Sequence, residues 1–341
     1  MTRNRQTRSA ARMRILGIGA ALTVAFATAS CNVEGGAGND SKDDFPSHAV
    51  ELTVPFAAGG GSDLIGRLLA ERIEKPLGQS VVVVNKPGSS GNAGTSEVGR
   101  SDAKGYKLVI PNATQFSITP LMVSDSESVR LDGLTIIQGL TQENNVLFTS
   151  TKAPYKTVED VLALADSGKR VTYGHVGPSS PTRLEQMLLF AHAGINAEDV
   201  PFGGTGEVIP AVIGGHVDFG AAGLTELEPY VNSNDVRILG IFGDERSQFA
   251  PNVPTFKEKG IDAVVPLTRF IAGPKDLPKS ELDTLTDAIA EVTESKEWTD
   301  LLAKNKIETY NVDGDKVRAD IERDATSFEA ALKDLNLQPA G

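Results

Sequence analysis

From residue 50 onward, short runs of apolar and β-branched residues alternate with stretches whose apolar positions recur every three or four residues. The first pattern predicts strands over residues 50–56, 81–84, 107–110, 145–149, 171–174, 199–202, 217–221, 236–242 and 269–273. The second predicts helices over 62–75, 181–193, 206–213 and 226–231, and a helical tail from 279 to the end. In the first helix, Leu64, Ile65, Leu68, Leu69 and Ile73 share one face. Thr157, with Asp160 three residues on, has the spacing of a capping box and predicts another helix start. Strands that alternate with helices in this way predict an α/β architecture built on largely parallel sheets. No internal repeat and no later membrane-spanning run interrupts the pattern.

The first thirty residues break it. Five arginines, at positions 3, 5, 8, 12 and 14, precede an apolar run over 15–27, and small residues at 27–30 lead to Cys31. A run of about 13 residues is too short for a bilayer, which needs roughly 20, so this segment predicts an export signal over residues 1–30. Cys31 is the only cysteine, which excludes an internal disulfide and a cysteine-built metal site. Thr28-Ala29-Ser30-Cys31 resembles a lipobox, with Thr28 where Leu is usual, and predicts lipid attachment at Cys31. The alternative is an ordinary signal cut near Ser30. Residues 31–47, rich in Gly, Asp and Ser, read as a flexible tether.

Charge then narrows the partners. The formal net charge is −12, and removal of the five signal arginines takes it to −17. Such a body repels nucleic acid and anionic lipid headgroups at long range, so an anionic ligand would need local donors in a sheltered cleft.

Several loops supply such donors, and each follows an expected strand. The first holds Phe56, Ala58, Gly59, Gly60, Ser62 and Asp63. Glycines allow close backbone approach, and the N–H groups of the helix start favour an anion. Asp63 has two credible roles there, capping its helix or receiving a ligand's ammonium. Further loops offer Asn112, Ala113 and Thr114, then His175, Ser179 and Ser180, then Gly204 and Thr205. In parallel α/β sheets, ligands sit at the carboxyl ends of strands. Hydroxyls, amides and glycines dominate these loops, which suits a small polar solute.

Motifs for catalysis, metals or cofactors are missing. The first loop lacks the spacing of a Walker loop or a dinucleotide fold. The four histidines, His48, His175, His192 and His216, show no metal-ligand spacing, and no GxSxG elbow is present. The chain therefore reads as a binder without cofactor, not as an enzyme.

Val54-Pro55-Phe56-Ala57-Ala58-Gly59-Gly60-Gly61-Ser62-Asp63 resembles the opening signature of the tripartite tricarboxylate transporter substrate-binding proteins, also called Bug proteins. The likeness continues through Asn85-Lys86-Pro87-Gly88, Lys104-Gly105-Tyr106, Ala153-Pro154-Tyr155, Gly214-Gly215-His216-Val217-Asp218 and Val253-Pro254-Thr255-Phe256. It implies a two-lobed type II periplasmic-binding-protein fold with a hinge and an interlobe ligand cleft. The first lobe would comprise residues 48–150 plus 259–341 and the second 151–258, with crossings near 149–153 and 253–264. It also implies a small organic anion, a carboxylate, as ligand, membrane permease subunits as partners, and a monomer on the outer face of the cytoplasmic membrane. The chain departs from the family at Phe202-Gly203-Gly204, where Tyr-Lys-Gly is usual, and at Thr268-Arg269-Phe270. Arg269 has two readings, a replacement cation in the ligand wall or a surface residue at a strand end, and the second is favoured because one exposed Arg explains nothing by itself. Two other functions fit the residues less well: a ligand-presenting component for a membrane histidine kinase, and an exported hydrolase lacking a visible nucleophile.

Overall fold

The computed structural model describes residues 45–122 and 129–337, all within the unit Asp43–Gly341. Cys31, the export signal and most of the expected tether lie outside the described residues. Among those residues, the strands in chain order are β1 (Val50–Val54), β2 (Val81–Asn85), β3 (Lys107–Val109), β4 (Leu134–Glu143), β5 (Val146–Ser150), β6 (Val171–His175), β7 (Ala197–Pro201), β8 (Phe219–Ala222), β9 (Val236–Ile241) and β10 (Leu267–Pro274). They form two five-stranded sheets, ordered β2-β1-β3-β10-β4 and β7-β6-β8-β5-β9.

Each sheet is mixed. β1 pairs in parallel with β2 and β3, and β6 with β7 and β8, but β10 and β5 run antiparallel to both neighbours. The largely parallel expectation fails at these two strands for one reason. Each is the first strand after the chain passes from one sheet to the other, so each enters its sheet reversed.

Those passages shift the expected lobe boundaries. β4 ends at Glu143 in the first sheet and β5 begins at Val146 in the second, so the first crossing is made by Asn144 and Asn145, before the expected 149–153. Ile261, Ala263 and Val265 still pack in the second lobe's core with Leu147 and Phe219, so the second crossing immediately precedes β10. The far end of the last helix also joins that core through Phe328 and Leu332, although the tail was assigned to the first lobe.

The helices are α1 (Gly61–Leu77), α2 (Asn92–Gly99), α3 (Thr114–Ser117), α4 (Thr119–Met122), α5 (Val158–Leu162), α6 (Leu164–Ser167), α7 (Pro181–His192), α8 (Thr205–Ile213), α9 (Leu224–Asn232), α10 (Lys279–Thr293), α11 (Lys296–Lys304) and α12 (Gly314–Asp334). α1 shows why they sit where they do. Ile65, Leu69, Ile73 and Leu77 repeat every fourth residue and are all buried, on a helix that packs against β1, β2 and α10. Each such side chain contributes about 1.5–3 kcal/mol by leaving water. Gly78, at φ 73°, ends the helix and donates its N–H to Glu74 O at 2.9 Å. The expected capping box at Thr157 and Asp160 opens α5.

β4 is the longest strand and the pattern along the chain hides it. Gln138 and Thr141 are buried polar residues within it, and Gly139 interrupts the apolar run. Their partners come from far away: Gln138 donates to Thr293 Oγ1 at 2.7 Å, and a Cβ at Gly139 would lie 2.5 Å from Tyr310 O. No helix among the described residues is long and apolar enough to cross a membrane.

Candidate functional site

A cavity of about 520 Å³ is lined from both sheets by the loops that follow their strands. The first lobe supplies Phe56, Gly59, Gly60 and Ser62 after β1, and Asn112 and Thr114 after β3. The second supplies Ser179 and Ser180 after β6, Gly204 and Thr205 after β7, and Gly223 after β8. These are the carboxyl ends of parallel strands, where the backbone turns into a helix and first-turn N–H groups lack intrahelical partners.

Three of those helix starts have a glycine as N-cap. α1 begins after Gly60, α8 after Gly204 and α9 after Gly223, and none of these glycines offers a side chain to the first-turn N–H groups. Glu226 Oε2 accepts only the N–H of Gly223 itself, at 3.2 Å, whereas α7 is capped by Ser180, whose Oγ accepts from Arg183 N–H at 3.3 Å. Open helix N-termini therefore face the cavity from both lobes. Each favours a negative charge by about 0.3–1 kcal/mol, and up to ~2 when partly buried.

The glycines of the first loop serve different ends. Gly59 adopts φ 84°, which other residues rarely take. At Gly61 the reason is space, since a Cβ there would lie 2.7 Å from Arg269 Nη2. Arg269 is the principal correction to the sequence reading. Its side chain is only 6% exposed, it lines the cavity, and its guanidinium supports the first loop from beneath. Nε donates to Ser62 Oγ at 3.1 Å, and Nη1 donates to Thr141 Oγ1 at 3.4 Å and pairs with Glu143. A strand-end position hid this, because β10 lies between β3 and β4 and sends Arg269 inward rather than to solvent.

Four expected contact residues do not line the cavity. Asp63 is buried beneath the loop, where Oδ2 accepts from Gly59 N–H and Oδ1 from Asn85 Nδ2, both at 2.9 Å, and Arg67 pairs with it. Burial pushes its carboxyl up, but the hydrogen bonds from Arg67, Gly59 and Asn85 together hold it below the usual range. It shapes the loop from behind. Ala58 points to solvent, and Ala113 is buried in the core with its N–H donated to Thr268 O at 2.8 Å. His175 is 2% exposed, with Nε2 3.1 Å from Asp199 Oδ2 and Nδ1 accepting from Gly177 N–H at 3.1 Å. Burial pushes its imidazole below the ordinary value. It is a structural histidine.

The charged side chains lining the cavity are Arg269, Glu143 and Glu226. Sequence reasoning raised Arg269 as a possible ligand-wall cation but favoured the surface, and it missed Glu143 and Glu226 as cavity residues. Glu226 is open to water on the cavity side and crowded by protein elsewhere. That crowding pushes its carboxyl above the ordinary range, against the Gly223 N–H and the Thr205 hydroxyl, with Glu143 adding to the rise and Arg269 opposing it. Other missed lining residues are Ser90, Gln115, Asn145, Thr182 and Thr225. Ser90 Oγ lies 3.3 Å from Ser179 Oγ, a contact between the lobes at the cavity wall. Hydroxyls, amides and open N–H groups dominate the lining, donors and acceptors suited to a small polar solute. Among the described residues, no three His, Cys, Asp or Glu side chains cluster to hold a metal ion.

Comparison with known proteins places this geometry. The model of the tripartite tricarboxylate transporter family receptor, TctC, matches residues 65–337. A protein encoded in the gbd 5′ region of Cupriavidus necator is 28% identical over 93% of this chain and 96% of its own length. Protein BugT of Bordetella pertussis is 27% identical over 75% of this chain and 79% of its own. Among solved structures, an adipate-bound protein of R. palustris superposes with a TM-score of 0.79 at 23% identity, covering 87% of this chain and all of the other. The malate-bound MatC of Rhodopseudomonas palustris gives 0.73 at 22% identity, over 84% and 100%. The periplasmic binding protein BugD gives 0.75 at 22% identity, over 86% and 99%. These likenesses show the two-lobed binding-protein fold.

Proposed function

The chain belongs to the tripartite tricarboxylate transporter receptor family, and from that premise we propose that it captures a small carboxylate between its lobes for delivery to membrane permease subunits. One observation carries the reading: a cavity of about 520 Å³ that receives an uncapped helix N-terminus from each lobe. An anion there meets α1 and α8 together, so binding favours the state in which the lobes are close. Micromolar affinity requires about 8 kcal/mol. A few charge-assisted hydrogen bonds at ~1.5–3 kcal/mol each, with the helix ends, reach that after the cost of ordering. Adipate and malate in the structurally similar R. palustris proteins support the same ligand class.

A receptor of this kind works outside the cytoplasm, which agrees with the arginine-rich, apolar start of the chain. We add to the proposal that Cys31 carries the lipid that holds the protein at the membrane; this rests on the Thr28–Cys31 motif and the polar tether after it. The test of the main reading is mass spectrometry of small molecules released from the purified protein, followed by calorimetry with the carboxylates recovered. Recovery of a carboxylate that binds again and is returned unchanged is the expected result. A ligand converted on incubation, or binding unaffected by Gly60→Val, would refute it.

A further inference from the structure

The charged groups of the cavity form a row rather than a scatter. Arg269 donates to Ser62 at the start of α1 and pairs with Glu143 at the end of β4. A Cβ on Gly223 would lie 4.0 Å from Glu143 Oε2 and 3.6 Å from Glu226 Oε2, so both carboxylates flank that one glycine. Glu226 lines the cavity together with Thr205 at the start of α8. The row thus runs from a cation under the first lobe to two anions at the border with the second.

Two features of this row face the cavity. Arg269 is buried, with Nε and Nη1 engaged, but Nη2 makes no hydrogen bond among the described residues and lies against the cavity-lining Gly61. Glu226 sits in the first turn of α9, where the helix dipole favours its charge, and it lines the cavity beside a second carboxylate, Glu143. Together the three charged side chains leave the wall one unit negative. A plain dicarboxylate would set two negative charges against two more, with a single guanidinium already shared with Glu143.

We propose that the ligand is a zwitterion, an amino carboxylate, with its carboxylate at Arg269 Nη2 and the α1 N-terminus and its ammonium at Gly223 between Glu143 and Glu226. This rests on the cavity being the carboxylate site. The ammonium relieves the repulsion between the two glutamates, which come from different lobes, and so joins the lobes. The row also sets polarity, because the carboxylate and ammonium ends cannot exchange places without facing like charges.

The test compares matched ligands on the purified protein by thermal shift and calorimetry. The standard amino acids are set against their des-amino counterparts, such as aspartate against succinate, glutamate against glutarate and alanine against propionate, with adipate and malate included. At least one amino acid should bind over 100-fold more tightly than its counterpart. Glu226→Gln, which keeps an acceptor for the Gly223 N–H, should cut that preference below tenfold while leaving the melting temperature of the free protein unchanged. Adipate, malate or another des-amino acid binding as tightly as every amino acid overturns the zwitterion and leaves the carboxylate receptor standing. An amino-acid preference unmoved by Glu226→Gln overturns the assigned subsite. Binding of no panel member also overturns the zwitterion, while a non-amino carboxylate released from the purified protein preserves the broader reading. The matched ligands alone decide the question should the variant fail to fold.

Discussion

Replacing Arg269 with methionine tests whether the cavity wall is held by a buried ion pair. The side chains of Arg269 and Glu143 are 6% and 16% exposed, so water screens the pair poorly. Methionine fills much of the same space but strands the Glu143 carboxylate and removes the donors to Ser62 and Thr141. Breaking a buried pair by deleting one partner costs about 3–5 kcal/mol; the residual exposure of Glu143 places this case near 3. Adding Glu143→Leu removes the stranded charge, and the double variant should recover all but about 1 kcal/mol. Urea unfolding of the ligand-free protein measures both quantities, and with a slope near 3 kcal/mol/M the single variant should shift the midpoint by about 1 M. A single variant within about 0.5 kcal/mol of the parent would refute the buried pair. A double variant as unstable as the single one would show that the cost lies in packing rather than charge.

Gly61→Ala should lower ligand affinity at least tenfold in calorimetry, because its Cβ would lie 2.7 Å from Nη2 of an Arg269 guanidinium that three partners hold through Nε and Nη1. Gly60 has room for a side chain, with Ala57 O at 3.6 Å, so Gly60→Val should keep the melting temperature within a few degrees while covering the α1 N–H groups and abolishing binding. Glu185 is fully buried, and burial raises its carboxyl well above the ordinary range despite the Asn145 amide. A raised acid contributes fully below its unfolded value, near 4.3, and that contribution is lost as pH climbs toward the folded value. Glu185→Gln should therefore raise the melting temperature at pH 8 more than at pH 4.5; an equal gain at both would count against a neutral carboxyl in the fold. Solution scattering should show a smaller radius of gyration with saturating ligand, and tight binding without compaction would rule out closure between the lobes.

What the chain reveals before folding depends on how far each residue's partner lies along it. The first loop was legible because glycines, a preceding strand and a following amphipathic helix all fall within residues 50–77. Ser179, Ser180, Gly204 and Thr205 were legible in the same way, as strand-to-helix turns. β4 was not, since Gln138 and Thr141 look misplaced in a buried strand until Thr293 and Arg269 arrive from over a hundred residues away. Arg269, Glu143 and Glu226 share that difficulty. Alone, Arg269 is a strand-end cation open to either a surface or a ligand-wall place, Glu143 carries no site signal and Glu226 is a helix acid, and only the passage of β10 between β3 and β4 gathers the first two. Asp63 misled in the opposite direction, because its place in the glycine loop suggests ligand contact while its real partners, Gly59, Asn85 and Arg67, fill its valences from behind.

The first crossing and the ligand wall are made of consecutive residues, and this has a consequence for how binding moves the protein. Glu143 ends β4 and lines the cavity, Asn144 follows, and Asn145 lines the cavity again while donating to Glu185 Oε2 at 3.3 Å. A ligand that touches Glu143 and Asn145 therefore acts on the backbone that joins the lobes. Other links join the lobes as well: Phe328 and Leu332 of α12 pack in the second lobe's core, Thr225 donates to Asn305 O at 2.5 Å, and Ser247 donates to Glu308 Oε1 at 2.9 Å. Ser90 and Ser179 form a neutral hydroxyl contact worth about 0.5–1.5 kcal/mol. The Lys306–Glu228 pair, at 2.6 Å and partly exposed, adds about 0–1 kcal/mol. Ligand contacts of several kcal/mol made from both sides add to these links, so occupancy of the cavity shifts the population toward the state in which the lobes are close.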